Sequence, residues 1–333
     1  MHDREPAPGA QALKIVALFG PTGVGKTAVA VAVARRLRAR GEDPVAVSAD
    51  ALQVYEGMET LTGVASARER AELEHRLVSF LSPRETFSAG RYAKLAHAEI
   101  DGLLAEGRRP IVVGGTGLYL RAALTALDMM PPPDEGARER WRAELERRGA
   151  PALHAVLAER APEVANELNP NDRQRVLRAL ELADAGALRA PGGESQLWSE
   201  EMRRPTLLVG LTMERQALYE RIDARVEEML AAGAREEVLR AAGGGASETA
   251  RKALGFEELL AGDVEAMKRR TRNYAKRQLS WMRKLGGVRV IDVTGHDPDA
   301  VAREILDSAA GSPTARKGRA GSEEPHEIDS AAG

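Results

Sequence analysis

The segment Gly20-Pro21-Thr22-Gly23-Val24-Gly25-Lys26-Thr27 fits the phosphate-binding loop pattern Gly-x4-Gly-Lys-Ser/Thr. Each residue type has a physical use there. Glycines let successive backbone N–H groups turn inward around phosphate oxygens, and a following helix adds the positive end of its dipole. Lys26 supplies a point charge to the terminal phosphates, and the Thr27 hydroxyl is placed to ligate Mg2+. A plain tight turn needs neither the lysine nor the threonine. The loop therefore predicts a bound diphosphate and is silent on what carries it.

Two more groups stand where an open parallel sheet collects its ligands, at the carboxyl ends of strands. Ser48-Ala49-Asp50 closes one predicted strand and sets a carboxylate beside the loop. Asp50 there is a general base, a helix cap or a metal ligand, and its position alone does not separate these roles. Gly114-Gly115-Thr116-Gly117 closes another strand. Its glycines bring the backbone close, and Thr116 offers a hydroxyl to a substrate or caps the next helix. Small-molecule kinases also pair such a loop with an acid that takes a proton from the acceptor hydroxyl. On these residues alone, a kinase and a non-kinase transferase stand level.

The elements that must hold these groups are readable from apolar runs. Residues 14–19, 44–48, 110–114, 206–211 and 288–293 read as buried strands, with helical periodicity after the loop to residue 40 and over 88–106. Strands alternating with helices predict an α/β fold, a P-loop NTPase-like parallel sheet covered on both faces. Residues 127–190 break the pattern. They are charged, rich in Ala, Arg and Glu, and bounded by Pro131-Pro132-Pro133 and Pro191-Gly192-Gly193. They read as a small all-helical insertion dividing the core into 14–126 and 191–310. Residues 212–285 read as helical with a break at Gly243-Gly244-Gly245. Residues 1–13 read as a flexible N-terminus and 311–333 as a disordered tail.

Composition narrows the class. Hydrophobic residues at 43% and charged residues at 29% fit a globular chain with a real core, and aromatics at 4% leave that core to Ala, Val, Leu and Ile. Cysteine is absent, which excludes disulfides and thiolate metal sites and suits a reducing, cytoplasmic compartment. No run approaches the roughly 20 apolar residues of a membrane span, and residues 1–12 lack a signal-peptide core.

The net charge of −2 hides a segregation. Residues 268–284 hold eight basic side chains and no acidic one. On a helix, Arg269, Arg272, Lys276, Ser280 and Arg283 share one face, while Tyr274, Trp281 and Leu285 share another that packs inward. A single-sign stripe suits a phosphate backbone. An ordinary solvated face mixes both signs, as residues 139–148 do. A second cluster, Asn171-Asp172-Arg173-Gln174-Arg175-Val176-Leu177-Arg178, opens a helix that Asn171 or Asp172 can cap. Gln174, Arg175 and Arg178 are side chains able to read base edges, or else part of a salt-bridged surface helix.

Taken in chain order, these blocks resemble the tRNA dimethylallyltransferases, also called isopentenyl-tRNA transferases, over about residues 15–305. The resemblance rests on residues 20–27, on Asp50-Ala51-Leu52-Gln53-Val54-Tyr55-Glu56-Gly57-Met58 and on Gly114 to Tyr119. It continues through residues 169–181, 218–226, Arg251-Lys252-Ala253-Leu254-Gly255-Phe256 and Lys276-Arg277-Gln278-Leu279-Ser280-Trp281-Met282-Arg283.

The resemblance implies a reaction. Dimethylallyl diphosphate loses diphosphate as its C1 joins N6 of the adenosine 3′-adjacent to the anticodon. Asp50 is then the base, Thr116 positions the amine, and Arg225 joins Lys26 and a Thr27-bound Mg2+ on the leaving diphosphate. The implied tRNA contacts are Asp50, Ala51, Leu52 and Gln53 at the reacting base, and Arg138, Gln174, Arg175 and Arg178 in the insertion, which grips the anticodon stem-loop. Arg251, Lys252, Gly255, Phe256, Lys276, Arg277, Gln278, Trp281 and Arg283 complete them. The base must be flipped into a channel through the core. A monomer is expected. The chain departs from the family pattern at Ala51 (usually Ser), at residues 60–65 (usually a Gly-Thr-Ala-Lys stretch) and at Phe256 (usually Tyr).

Three rivals use the same residues differently. A small-molecule kinase has no use for the basic helix. A dimethylallyltransferase acting on free adenine nucleotides needs neither that helix nor the insertion. A catalytically inert relative keeps only RNA binding.

Overall fold

The computed structural model describes residues 15–127, 130, 134–189 and 197–310. The expectations for residues 1–14, for the proline and glycine runs at 131–133 and 191–193, and for the tail from 311 lie outside the described residues.

The described residues form a six-stranded parallel sheet. Its strands are β1 (Ile15–Phe19), β2 (Pro44–Ser48), β3 (His75–Arg76), β4 (Arg109–Gly114), β5 (Thr206–Thr212) and β6 (Arg289–Asp292), in the spatial order β3-β2-β4-β1-β5-β6. Central β1 is buried throughout. Ile15, Ala17 and Phe19 enter the apolar cluster on one side of the sheet, and Val16 and Leu18 enter the cluster on the other. That alternation explains why the strand reads as a continuous apolar run. Five strands lie where expected, with β6 shorter than 288–293. β3 was not expected: two polar residues carry no periodic signal, and pairing with Ala46 and Val47 alone defines it.

Helices cover both faces. The helix Lys26–Arg38 follows the loop, and Ala89–Ala105 is capped by Ser88, whose hydroxyl accepts the Arg91 N–H. Residues 134–184 form the helices Glu135–Arg148, Ala150–Arg160, Pro162–Asn166 and Arg173–Asp184. These pack around a separate apolar cluster that includes Trp141, Leu153, Leu157, Val176 and Leu180. An Arg142–Glu248 ion pair ties this insertion to the core. The chain after β5 runs through Arg215–Ala231, Ala234–Gly243, the short 3-10 turn Ala250–Lys252, Phe256–Ala261 and Val264–Met282. No helix among the described residues is long and apolar enough to cross a membrane.

One glycine decides how the strand ends meet. β4 lies between β1 and β2, so the chain leaving β2 must cross the end of β4. A Cβ on Gly114 would lie 2.2 Å from the Ala49 carbonyl oxygen. Only glycine lets Ala49 and Asp50 pass that close.

Candidate active site

A cavity of about 660 Å³ opens at the carboxyl ends of β1, β2 and β4. Lys26, Thr27, Asp50, Gln53, Arg225 and Gln278 all line it. The phosphate loop is wrapped tightly at its start. Gly20, Pro21, Gly23 and Val24 are buried, while Thr22 and Gly25 are half-buried and line the cavity. Lys26 Nζ donates to the carbonyls of Gly20 and Pro21, both at 3.0 Å. Burial, reinforced by the nearby Arg225 charge and opposed by Asp50, lowers its pKa to about 8. Two cations thus face one cavity and repel each other, which an anion placed between them would relieve.

Asp50 does not cap a helix. Its Oδ1 accepts the Leu52 N–H at 2.9 Å across a turn. Burial raises its pKa, against the opposing pull of the Leu52 N–H and the Lys26 charge. Behind it, the Tyr92 hydroxyl donates to the Ser48 carbonyl at 2.9 Å. Thr116 stands at the N-cap of the helix Gly117–Leu124 without making a side-chain cap bond. Its hydroxyl lies 3.3 Å from that of Tyr274, whose pKa is pushed up to about 12, mainly by burial. Tyr274 therefore stays a neutral hydroxyl across the working pH range.

Arg225 reaches the cavity from the helix Arg215–Ala231 and donates to the Gly63 carbonyl at 3.4 Å. Gln53 Nε2 donates to the same carbonyl at 3.0 Å. Residues 60–65, where the sequence departs from the pattern of the family it resembles, thus form a cavity wall tied to Arg225 and Gln53. Glu237 pins that wall by accepting the N–H groups of Thr60 and Leu61 at 3.0 and 2.9 Å.

The basic helix Val264–Met282 turns the expected stripe outward except at Arg272. Arg269, Asn273, Lys276, Arg277, Ser280 and Arg283 are exposed. Arg272 is a correction: it turns sideways and pairs with Asp223 at 2.5 and 2.7 Å. Gln278 is another. It is buried at the cavity rather than exposed on the stripe, and its amide bridges Thr22 N–H (2.9 Å) and the Gly115 carbonyl (2.7 Å), so it braces the loop. Trp281 is half-buried, lies over Gly117, and stacks at a tilt on Trp198 with centroids 4.7 Å apart.

Phe256 is also corrected. It is 0% exposed, beneath the Arg251 guanidinium, and is a core residue. Gly255, at φ +93°, is buried as well, and a side chain there would strike Met267. Neither is available to RNA. Lys252 is exposed and pairs with Glu248, while Arg251 pairs with Glu257. In the insertion, Asp172 caps Arg173–Asp184 through the Arg175 N–H. Gln174 and Arg175 are exposed, Arg138 is half-buried, and Arg178 pairs with the buried Glu181 at 3.2 Å. Ala51 and Leu52 are half-buried, and Leu52 lines the cavity.

Arg221 was missed from sequence. It lines the cavity one turn before Arg225, and its guanidinium approaches Gly25. The four-residue spacing of the two arginines was the available signal.

A family model described as IPP transferase matches residues 53–285. The chain is 42% identical over 304 residues to a tRNA dimethylallyltransferase of Anaeromyxobacter dehalogenans, covering 88% of this chain and 99% of that one. It is 40% identical over 306 residues to that of Kineococcus radiotolerans, covering 88% and 95%. Among solved structures, a tRNA isopentenylpyrophosphate transferase from Bacillus halodurans superposes with a TM-score of 0.64 at 33% identity, covering 90% of this chain and 96% of that one. A eukaryotic dimethylallyltransferase acting on tRNA shares the fold, with a TM-score of 0.72 at 23% identity. A P-loop, a strand-end aspartate and a shared cavity, together with this likeness along most of its length, make the chain a member of the tRNA dimethylallyltransferase family.

Proposed function

We propose that the chain transfers the dimethylallyl group of dimethylallyl diphosphate to N6 of the adenosine 3′-adjacent to the anticodon in tRNA. The observation that carries this reading is the single cavity lined by Lys26, Asp50 and Arg225 together. N6 is a poor nucleophile because its lone pair is delocalised into the purine ring. Asp50 takes an N6 proton as the N6–C1 bond forms and the C1–O bond breaks, with the electron pair leaving on diphosphate. Its raised pKa makes it a better base than an ordinary carboxylate. Lys26, Arg225 and the loop amides meet the charge that grows on the departing diphosphate. The Thr116–Tyr274 hydroxyl pair orients the amine.

Thr27 lines the cavity beside Lys26 and suits Mg2+, which keeps most of its waters and takes its other ligands from phosphate oxygens. When bound, the ion would neutralise part of the diphosphate charge. The chain acts as a monomer that meets tRNA in the cytoplasm. The exposed cations of the basic helix and of the insertion hold the stem-loop backbone, and the insertion, residues 127–190, acts as the gripping domain.

The test is incubation with labelled dimethylallyl diphosphate and Mg2+, with either unmodified tRNA or free adenine nucleotides. N6-alkylated adenosine in tRNA is expected. Label on free nucleotide, or phosphoryl transfer from ATP to a small molecule, would replace this reading.

A further inference from the structure

We propose that Phe80 is a stacking platform for an unpaired base of the RNA loop next to the flipped adenosine; this rests on the function proposed above. Phe80 is 37% exposed and is one of three large apolar side chains exposed among the described residues. The backbone presents it at a cost. Leu77 (φ +59°) and Ser79 (φ +46°) are both non-glycine residues in the left-handed region. Such a loop persists because its surroundings hold it. Ser79 N–H donates to the Gln53 carbonyl and Phe80 N–H to the Val54 carbonyl, each at 2.9 Å. The platform is thereby fixed to the segment that carries Asp50 and the cavity-lining Gln53.

The ring is rigidly backed. Phe80 meets Phe87 edge-on, with centroids 5.9 Å apart at 78°, and Phe87 packs in turn on Tyr92 and Tyr119. An exposed aromatic held against a ring that is itself packed on two others loses little freedom when a base lands on it. The contacts around the ring reach toward the insertion. Arg91, 48% exposed, lies 5.5 Å over the Phe87 ring and pairs with an exposed Glu85. Phe87 N–H donates to Thr249 Oγ1, whose neighbour Glu248 holds Arg142 of the insertion. Contacts thus lead from Phe80 to the segment that carries Asp50 on one side and toward the insertion on the other. Single-stranded RNA loops are recognised by stacking splayed bases on aromatic rings beside backbone-binding cations.

The test uses an RNA hairpin carrying the anticodon loop, with Phe80→Ala, Phe80→Leu and Phe80→Tyr variants. For Phe80→Ala, roughly a tenfold or greater loss of hairpin affinity is expected, from the usual worth of one base–aromatic stack. It should appear in the hairpin KM rather than in kcat, with donor affinity unchanged. Phe80→Tyr should restore binding. Phe80→Leu, which still packs on Phe87, should not. An abasic site at the stacked nucleotide should weaken the wild type and leave Phe80→Ala nearly unaffected. Wild-type affinity in Phe80→Ala, or full rescue by Phe80→Leu, would overturn the platform while wild-type alkylation of tRNA still stood. Absence of that alkylation in the wild type would instead overturn the function on which it rests.

Discussion

Gln278 and Thr22 are 256 positions apart in the chain, yet the Thr22 N–H donates to Gln278 Oε1 at 2.9 Å while the other end of the same amide donates to the Gly115 carbonyl. One side chain of the basic helix thus braces the phosphate loop against the end of β4. Gln278→Ala removes the side-chain partner of the half-buried Thr22 N–H and of the buried Gly115 carbonyl. A stability loss of about 1–3 kcal/mol is expected from the unpaired groups, read by denaturant unfolding. The donor KM should rise more than the RNA KM, because the loop is freed while the exposed Lys276 and Arg277 stay in place. A rise confined to the RNA KM would return Gln278 to the RNA interface.

Asp50→Asn keeps an oxygen for the Leu52 N–H and removes the base. Turnover should fall by roughly 10²–10⁴, the usual worth of a positioned general base, with RNA affinity held within about twofold. Single-turnover rates and filter binding separate the two. Normal turnover would remove Asp50 from the proton path.

The pH profile follows from two opposite shifts. Burial raises the Asp50 pKa, so the acid limb of kcat/KM should fall at a pH above the ordinary carboxylate value, where the base becomes protonated. Lys26 titrates near 8 in the free enzyme, so it is charged below that pH and neutral above it. Donor affinity should therefore weaken as pH rises through about 8, and donor binding there should take up a proton. Calorimetry in buffers of different ionisation enthalpy measures that uptake. A donor affinity flat from pH 7 to 9 (on the order of one unit either side of the lysine value) contradicts the assignment.

The exposed cations predict salt dependence. Lys276→Ala or Arg283→Ala should lower the slope of log K against log salt by roughly 0.7–0.9 per lost phosphate contact. Arg272→Ala is the control. Its guanidinium is committed to Asp223, so the variant should lose stability with the slope intact.

Gly114→Ala tests the strand crossing. Its Cβ would meet the Ala49 carbonyl at 2.2 Å, so the backbone must shift. An overpacking cost of about 1–3 kcal/mol is expected, with lower turnover as Asp50 moves. Unchanged melting and turnover would show that the crossing has slack.

Much of this protein was written in local sequence. Gly20 to Thr27 announced the phosphate loop because its function depends on adjacent backbone groups and two neighbouring side chains. Continuous apolar runs marked β1, β2, β4 and β5 because strands buried on both faces need nothing else. A cap at Asn171 or Asp172 followed from side chains that bond N–H groups a few residues on, and the structure uses Asp172. What the tertiary structure decided was direction. Phe256 and Gln278 stood in blocks that pointed to RNA, and both turned inward, because the packing of each helix on its neighbours fixes which face is covered. Arg272 left the expected stripe for Asp223 on a neighbouring helix, a partner that no periodicity identifies. The meeting of Lys26, Asp50 and Arg225 in one cavity depends on β4 lying between β1 and β2, an order set by long-range strand pairing rather than by any stretch of residues.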